Sequence, residues 1–289
     1  MEMRFGFHLS IAGGLSQALR RAQALGCQSL QIFVQNPRTW RWRPVPDLEI
    51  EKFIALRRQI GLAPLVVHLS YLPNLGASEA ALYQRSRDRL QRELELAAQL
   101  KADFLVCHPG HALVPDGSLD RVAAALAAAV SRIPPPPLIL IENTAGQGRE
   151  LGWQIWQLNK IIEFSQVPVG LCLDTAHAFA AGYDLRQMAG INRLADEIAQ
   201  GTGLTALKVV HLNDSRARLG SYCDRHWHLG QGEIGLAGLR QFLNHAAFTP
   251  QAIILETPTK HADDDPRNLA VARSLLRPPT LISPLGYPS

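Results

Sequence analysis

The sequence predicts an α/β protein, a (β/α)8 TIM barrel with its active site at the C-terminal face of the strands, and three observations support this fold. Short apolar runs alternate with helical patterns along nearly the whole chain. The runs are continuously apolar, which is typical of parallel strands buried on both faces. The length of 289 residues suits a single barrel. We expect one barrel domain over residues 1–277 and a Pro-rich C-terminal tail over residues 278–289.

Eight apolar runs are the predicted strands. In chain order they are FGFHL (5–9), LQIFV (30–34), LVVHL (65–69), FLVCH (104–108), LILIE (138–142), VGLCLD (169–174), LKVVHL (207–212) and AIILE (252–256). Helical patterns lie between them, so that eight strands alternate with eight helices. Residues 78–100 have apolar side chains at helical spacings and begin with Ser78, a residue type favoured at helix N-caps. The Ala-rich segment 121–133 is predicted to end before Pro134, because proline interrupts a helix.

Composition sets limits on the location and partners of the protein. The N-terminus has no basic segment followed by an apolar one, and no run approaches 18 apolar residues. We therefore expect a cytoplasmic protein without a membrane span. The four cysteines are far apart and form no CxxC motif, which favours reduced thiols over a disulfide framework. A net charge of +4 is compatible with a polyanionic partner without requiring one.

Potential metal ligands follow most of the predicted strands. There are nine of them, at or just past strand ends: His68, His108, Glu142, Asp174, His177, His211, Asp224, His226 and Glu256. The carboxyl ends of barrel strands meet at one face, so these side chains should converge. One zinc ion needs three or four ligands of these types, and nine ligands therefore predict a site for more than one metal ion.

Several segments resemble the endonuclease IV family of apurinic/apyrimidinic endonucleases, also called AP endonuclease family 2. They are HLSIAGGL (8–15), FVQNPRTW (33–40), HLSYLPNLG (68–76), HPG (108–110), IENTAGQG (141–148), LDTAHAFAAGYDL (173–185), HLNDS (211–215), DRHWHLGQGEIG (224–235) and LETP (255–258). The matches extend from the first predicted strand to the last. ENTAGQG and LDTAHAFAAGYDL are long enough to be specific, whereas HPG alone would be weak.

The resemblance implies three Zn²⁺ ions per chain, held by the same nine residues. The positions that match the family's ligands imply that the first ion is held by His68, His108 and Glu142. Glu142 also bridges to a second ion, whose other ligands are Asp174, His211 and Glu256. The third ion is held by His177, Asp224 and His226. Imidazole and carboxylate groups suit zinc, and Mn²⁺ or Fe²⁺ would fit the carboxylate-rich position.

The resemblance also implies an activity and a partner. The expected activity is zinc-dependent hydrolysis of the DNA phosphodiester 5′ to an abasic site, leaving a 3′ hydroxyl and a 5′ deoxyribose phosphate. Glu142 is the expected catalytic residue, since a bridging carboxylate could also orient or deprotonate the attacking water. The expected partner is double-stranded DNA containing abasic sites. We expect a monomer that needs no protein partner.

Three positions are expected to contact DNA. Arg38, Tyr71 and Leu72 match the family's loop residues that enter the base stack, and an aromatic and an aliphatic wedge beside an arginine suits kinking of a duplex. The sequence also departs from the family. Thr39 stands where a glutamine that fills the gap in the stack is usual, and Trp227 and His228 stand where histidine and asparagine are common.

Other functions are compatible with parts of the pattern. A sugar isomerase or epimerase on the same barrel would use one metal ion, and its ligands would be Glu142, Asp174, His211 and Glu256. That alternative leaves the other five candidate ligands unexplained, and metal stoichiometry separates the two. A metal-dependent nuclease for another lesion, or a non-catalytic DNA-binding protein with a relict site, also remains open.

Overall fold

A closed barrel of eight parallel strands forms the centre of the computed structural model, which describes residues 3–112, 117–133 and 135–276. The strands are β1 (Arg4–His8), β2 (Ser29–Ile32), β3 (Leu65–His68), β4 (Phe104–Cys107), β5 (Leu138–Glu142), β6 (Val169–Asp174), β7 (Leu207–His211) and β10 (Ala252–Leu255). The barrel closes where β1 pairs with β10, with Arg4 opposite Ala252 and Phe7 opposite Leu255. The predicted (β/α)8 fold is thus confirmed.

Helices surround the barrel and follow its strands in sequence. They are α1 (Leu15–Ala24), α2 (Asp47–Ile60), α3 (Ala80–Gln99), α4 (Ser118–Val130), α5 (Ile155–Ser165), α6 (Thr175–Ala180), α7 (Met188–Gln200), α8 (Gly235–Leu243) and α9 (Asp264–Leu275). A two-stranded antiparallel hairpin of β8 (Asp214–Ser215) and β9 (His226–Trp227) follows β7. Among the described residues, no helix combines the length and hydrophobicity that a membrane span needs.

Three details of the predicted helices were wrong. The expectation of eight helices missed α6, six residues that begin directly at the end of β6. The helix predicted over 78–100 begins at Ala80 after Glu79, so Ser78 is not its N-cap. The helix predicted over 121–133 instead spans 118–130, because it starts directly after Gly117 in a left-handed conformation. Pro134 and the tail 278–289 lie outside the described residues.

The barrel interior is a packed apolar core rather than a channel. Successive side chains of a strand point to opposite faces, so alternate residues point inward. A compact cluster of strand residues fills this space: Val66, Phe104, Val106, Leu140, Cys172, Val209, Ala252 and Ile254. A larger apolar cluster joins the outer face of the strands to the helices. The candidate ligands are therefore expected at an end of the barrel rather than in its interior.

Candidate metal centre

Six of the nine candidate ligands lie one inward-facing position beyond the apolar interior. Each follows an interior side chain by two residues, which places it on the same face of its strand or strand extension. The pairs are Val66 and His68, Val106 and His108, Leu140 and Glu142, Cys172 and Asp174, Val209 and His211, and Ile254 and Glu256. The barrel thus places a polar layer directly on top of its apolar core.

The first ligand group contains His68, His108 and Glu142, whose ligand atoms all lie within 4.8 Å of one another. Oε2 of Glu142 is 3.2 Å from Nε2 of His68 and 3.0 Å from Nε2 of His108. The other ring nitrogen of His68 lies 2.7 Å from the carbonyl oxygen of Leu69. Donation to this carbonyl fixes the tautomer, so His68 presents a lone pair to the centre.

The second group contains Glu142, Asp174, His211 and Glu256, again with ligand atoms within 4.8 Å. Nδ1 of His211 lies 2.8 Å from Oε1 of Glu142 and 3.3 Å from Oε2 of Glu256. Glu142 therefore faces the first group with one carboxylate oxygen and the second group with the other. Such a carboxylate is positioned to be shared between two metal ions.

The third group contains His177, Asp224 and His226. Nε2 of His177 is 3.4 Å from Oδ1 of Asp224 and 3.3 Å from Nε2 of His226. Nε2 of His226 is 3.2 Å from the same aspartate oxygen. Asp174 lies between the second and third groups, since its Oδ2 is 3.5 Å from Nε2 of His226. All nine residues are thus brought together at one mouth of the barrel.

Local structure explains the position of His177. Oδ1 of Asp174 accepts a hydrogen bond of 2.7 Å from the backbone N–H of His177 and so caps α6. Nδ1 of His177 lies 3.0 Å from the carbonyl oxygen of Asn143, which leaves Nε2 facing Asp224. The short helix that the prediction missed therefore carries this candidate ligand.

The electrostatics of the cluster favour bound cations. The Glu142 and Asp174 side chains are completely buried, and buried carboxylates require compensating positive charge. Burial raises the pKa of Glu142, but His211 and His108 outweigh this effect and hold the pKa well below its usual range. Burial lowers the pKa of His177, but Asp174 and Asp224 raise it well above the ordinary value. In the metal-free chain, protons on histidines thus take the place that metal ions would fill.

The donor set fits zinc. Each group offers at least three imidazole or carboxylate ligands, which is the number and type that protein zinc sites use. Cys172 is a further donor close to Glu142 and His211, but burial raises the pKa of its thiol to about 12. Cys172 is therefore a neutral thiol in the metal-free chain.

Gln31, which sequence reasoning missed, and His8 both support Glu256. Both side chains contact Oε1 of Glu256, Gln31 through its amide nitrogen at 2.7 Å and His8 through Nδ1 at 2.9 Å. Gln31 is completely buried in the middle of an apolar run. The signal in the sequence was a polar residue at an inward-facing strand position. Gln31 lies two residues after Ser29, as His211 lies two residues after Val209.

Two asparagines orient Asp174 and were also missed. Nδ2 of Asn213 donates to Oδ2 of Asp174 at 2.6 Å, while Oδ1 of Asn213 accepts from the backbone of Glu256 at 2.9 Å. Oδ1 of Asn143 accepts from the backbone N–H of Asp174 at 2.7 Å. Each asparagine directly follows a candidate ligand or lies two residues after one, within the motifs ENTAGQG and HLNDS.

The hairpin that carries His226 is closed at its base by Asp214. The Asp214 carboxylate is completely buried and accepts hydrogen bonds from the backbone N–H groups of Gly230, Gly232 and Ile234 at 2.8, 3.1 and 3.0 Å. Asp214 lies in β8, opposite Trp227 of β9. One side chain therefore ties both sides of the segment that presents the third ligand group.

The residues predicted to contact DNA lie beside this mouth. Arg38 and Tyr71 are exposed, with 58% of Tyr71 accessible, and Leu72 is half-buried. A cavity of about 1090 Å³ lies between the loops that follow β1 and β2, and Arg38, Arg41, Arg43 and Tyr71 line it. This side of the metal centre therefore combines guanidinium groups with an exposed aromatic ring.

The residues that depart from the family pattern lie at different distances from the centre. The hydroxyl of Thr39 accepts from the backbone N–H of Arg41 at 3.2 Å, so it closes a local turn. His228 is buried, and its Nδ1 lies 3.0 Å from the amide nitrogen of Asn268, away from the three ligand groups. Trp227 lies under the guanidinium of Arg216. None of these three residues contributes to the ligand groups described above.

Comparisons with known proteins agree with this architecture. A family model described as a xylose isomerase-like TIM barrel matches residues 19–278. Endonuclease 4 of Thermus thermophilus is 42% identical over 279 residues, which cover 94% of this chain and 98% of that protein. A crystal structure of endonuclease IV from the same species matches with a TM-score of 0.85 and 40% identity, covering 94% of this chain and 98% of that one.

A more distant likeness extends to epimerases. The crystal structure of a D-tagatose 3-epimerase-like protein matches with a TM-score of 0.70 and 18% identity, covering 94% of this chain and 97% of that one. At this identity the likeness shows the fold alone. The barrel by itself therefore does not separate nucleases from sugar epimerases.

Fold and site together define an enzyme on a TIM barrel whose active-site face carries metal-binding side chains. The close relatives narrow this class further, since they match along almost the whole chain. The chain belongs to the endonuclease IV family, as its motifs indicated. This membership makes it a DNA-repair endonuclease, and hence a hydrolase.

Proposed function

We propose that the chain hydrolyses the phosphodiester 5′ to an abasic site in double-stranded DNA, using three zinc ions and leaving a 3′ hydroxyl and a 5′ deoxyribose phosphate. The observation that carries this proposal is the linkage of three ligand groups. Glu142 faces both the first and the second group, and Asp174 lies between the second and the third. Three connected groups suit phosphoryl chemistry, in which several charges on one phosphate must be balanced.

Each candidate ligand has a defined part in this proposal. His68 and His108 would hold the first ion, Asp174, His211 and Glu256 the second, and His177, Asp224 and His226 the third, with Glu142 shared between the first two. When bound, zinc would supply Lewis-acid charge and lower the pKa of water toward 7. Glu142 would orient the attacking water or accept its proton, since it is the carboxylate nearest to both groups. Gln31 and Asn213 would hold Glu256 and Asp174 in position.

Substrate selection would depend on the exposed residues beside the centre. Tyr71 and Leu72 would enter the base stack, and Arg38 would contact the distorted backbone. A nucleotide that lacks its base is the cheapest one to unstack, so insertion of these side chains would favour an abasic site over intact DNA. The Tyr71 ring packs edge-to-face against the Phe33 ring at a centroid distance of 5.0 Å, and this contact supports its position.

Incision of a duplex with a single reduced abasic residue tests the proposal. A reduced site resists β-elimination, so cleavage on its 5′ side with a 3′ hydroxyl product requires hydrolysis. An undamaged duplex of the same sequence is the control for substrate, and Glu142→Gln is the control for the centre. Absence of cleavage by a chain with its metal ions bound would contradict the proposal.

One specific observation favours a second candidate, a sugar isomerase or epimerase. Glu142, Asp174, His211 and Glu256 form a compact group by themselves, which is the donor set that a single-metal isomerase would use. Metal analysis separates the two functions, because the isomerase needs one ion and the endonuclease three. The five remaining candidate ligands favour the endonuclease.

A further inference from the structure

A buried ion pair lies outside the metal centre and has no role in the chemistry proposed above. Arg89 and Glu93 are one turn apart on α3, with 4% and 0% of each residue exposed. Nε of Arg89 donates to Oε1 of Glu93. Burying two charges carries a desolvation penalty, and an apolar pair of similar volume is often at least as stable. What these two side chains contact is therefore informative.

The pair holds the loop after β3. Oε2 of Glu93 accepts from the backbone N–H of Ser70 at 3.1 Å, and the Ser70 hydroxyl donates to Oε1. Nη2 of Arg89 lies 2.8 Å from the same hydroxyl oxygen. Ser70 is buried and directly precedes the exposed Tyr71. Ser70, the residue before Tyr71, is thus fixed to α3 by three hydrogen bonds, one through its backbone and two through its hydroxyl.

The same arginine reaches the loop after β2. Nη1 of Arg89 donates to the carbonyl oxygen of Thr39 at 3.5 Å, and its guanidinium lies over the Trp42 ring, 5.5 Å from the centroid. Thr39 directly follows Arg38. The two loops also touch each other, since the backbone N–H of Tyr71 donates to the carbonyl oxygen of Pro37 at 3.2 Å.

The loop after β2 is itself closed. The side chain of Gln35 both accepts from the backbone N–H of Arg43 at 3.1 Å and donates to its carbonyl oxygen at 2.8 Å. Arg85, one turn before Arg89 on α3, lies over the Trp40 ring at 4.3 Å. Helix α3 therefore contacts Trp40 and Trp42, two alternate residues of this loop. Arg41 and Arg43, which follow them in turn, are exposed.

We propose that Arg89, oriented by Glu93, is a positioning residue that joins the Arg38 loop to the Tyr71 loop, so that both enter DNA as one preorganised unit. The proposal rests on the function proposed above. Loops that are already ordered lose less conformational entropy on binding, so preorganisation of the two loops would strengthen binding of the abasic duplex. Arg89 touches neither DNA nor metal in this arrangement.

Two variants test Arg89 without relying on an uncompensated buried charge. Arg89→Lys keeps a cation for Glu93 but lacks the planar fork that reaches Ser70 and Thr39 together. Arg89→Met with Glu93→Leu removes both charges, a change that buried pairs often tolerate. Arg87→Met is the matched control on the same helix, since the Arg87 guanidinium lies over Tyr83, away from both loops.

The measurements are incision kinetics, zinc content, and fluorescence of 2-aminopurine placed opposite the abasic site. Both test variants should keep their zinc and their circular dichroism. Their KM for the abasic duplex should rise about tenfold or more, with kcat within about threefold, because only the entry of the loops is disturbed. The 2-aminopurine signal of unstacking should fall in proportion, and Arg87→Met should match the unaltered chain.

The outcomes distinguish failure of the positioning role of Arg89 from failure of the proposed function. Folded, zinc-loaded variants that unstack and incise DNA like the unaltered chain would overturn the positioning role alone. An unaltered chain that neither binds nor incises the abasic duplex would overturn both proposals. A parallel fall in kcat and zinc content would assign Arg89 to the metal centre instead and would also overturn the positioning role.

Discussion

The side-chain oxygen of Gln31 lies 2.8 Å from Nε2 of His211, and this contact selects the ring nitrogen that the histidine turns toward the metal centre. Nε2–H donates to Gln31, so in the neutral, metal-binding form of His211 it is Nδ1 that carries the lone pair on the side of Glu142 and Glu256. The amide nitrogen of Gln31 donates to Glu256 at 2.7 Å, which fixes the amide in the same orientation. One buried glutamine therefore orients two candidate ligands of the second group.

We expect Gln31→Met to weaken metal binding in the second group. Methionine fills a similar volume but cannot hold the His211 tautomer, and loss of such a supporting hydrogen bond typically costs about 10- to 100-fold in metal affinity. Competition with a coloured zinc chelator measures this directly. Gln23→Met on the exposed face of α1 is the control. Equal affinities for the two variants would show that Gln31 does not support the ligands.

Asp214→Asn should remove the third ion selectively. In the unaltered chain, the Asp214 carboxylate accepts hydrogen bonds from backbone N–H groups of residues 230–235. The substitution places an NH2 group, itself a donor, against these N–H groups. Unsatisfied buried donors cost about 1–3 kcal/mol each, so the segment that follows His226 should loosen. Zinc analysis of the folded variant should give one ion fewer per chain than the unaltered protein.

A second measurement guards this prediction against general unfolding. The barrel strands do not depend on Asp214, so thermal unfolding should remain cooperative. Complete loss of zinc, or none, would each contradict a selective effect on the group formed by His177, Asp224 and His226.

The double variant Tyr71→Ala, Leu72→Ala should lose incision while it keeps its metal ions. Tyr71 and Leu72 belong to none of the three ligand groups, and Tyr71 is largely exposed, with its ring centroid 6.4 Å from that of His68. Only the insertion into DNA should suffer, by about 100-fold or more in kcat/KM if alignment fails. Unchanged incision would exclude the wedge role, and loss of zinc would mean that these residues act on the centre.

Acid should release metal from the centre. Burial lowers the pKa of His177, but Asp174 and Asp224 raise it well above the ordinary imidazole value of about 6.5. A metal ligand must be a neutral imidazole, so protons compete with zinc up to this raised pKa. Zinc affinity should therefore increase as pH rises through the raised value, and chelator competition at a series of pH values would follow it.

The metal-free chain should show the opposite dependence. A histidine whose pKa is raised in the folded state adds stability that is fully present below the unfolded pKa and is lost as pH rises through the folded one. Chemical denaturation of the chelated protein should therefore show stability that declines on the alkaline side. The same stability at acidic and alkaline pH would contradict the charge pairing of His177 with Asp174 and Asp224.

The barrel and the candidate ligands could be predicted because both follow from one strand pattern. In LVVH and LILIE, an apolar run is followed by a histidine or a carboxylate. The run shows which residues face the barrel interior, and the residue at its end belongs to the polar layer above that interior. Predicted strands such as 30–34 and 104–108 ended one or two residues too late, because apolar residues continue past the last paired position. The helix that carries His177 was missed because α6 has six residues, too few for a helical periodicity.

The supporting residues could not be predicted, since their roles depend on distances across the barrel. Gln31 and His211 are 180 residues apart, and Asn213 and Asp174 are 39 apart. Nothing in the local sequence of Arg89 distinguishes it from Arg87, yet one is buried against Ser70 and the other is not. These contacts form only in the folded barrel, where residues that are distant in sequence become adjacent.

The order of the ligands along the chain has a consequence for biosynthesis. The first and third groups are complete once residue 226 has been made, whereas the second needs Glu256, which follows β10, the strand that closes the barrel against β1. Every ligand of the first and third groups therefore precedes the last strand, whereas the second group requires the strand that closes the barrel. A chain that is released before β10 lacks Glu256, so completion of the candidate metal centre coincides with completion of the barrel.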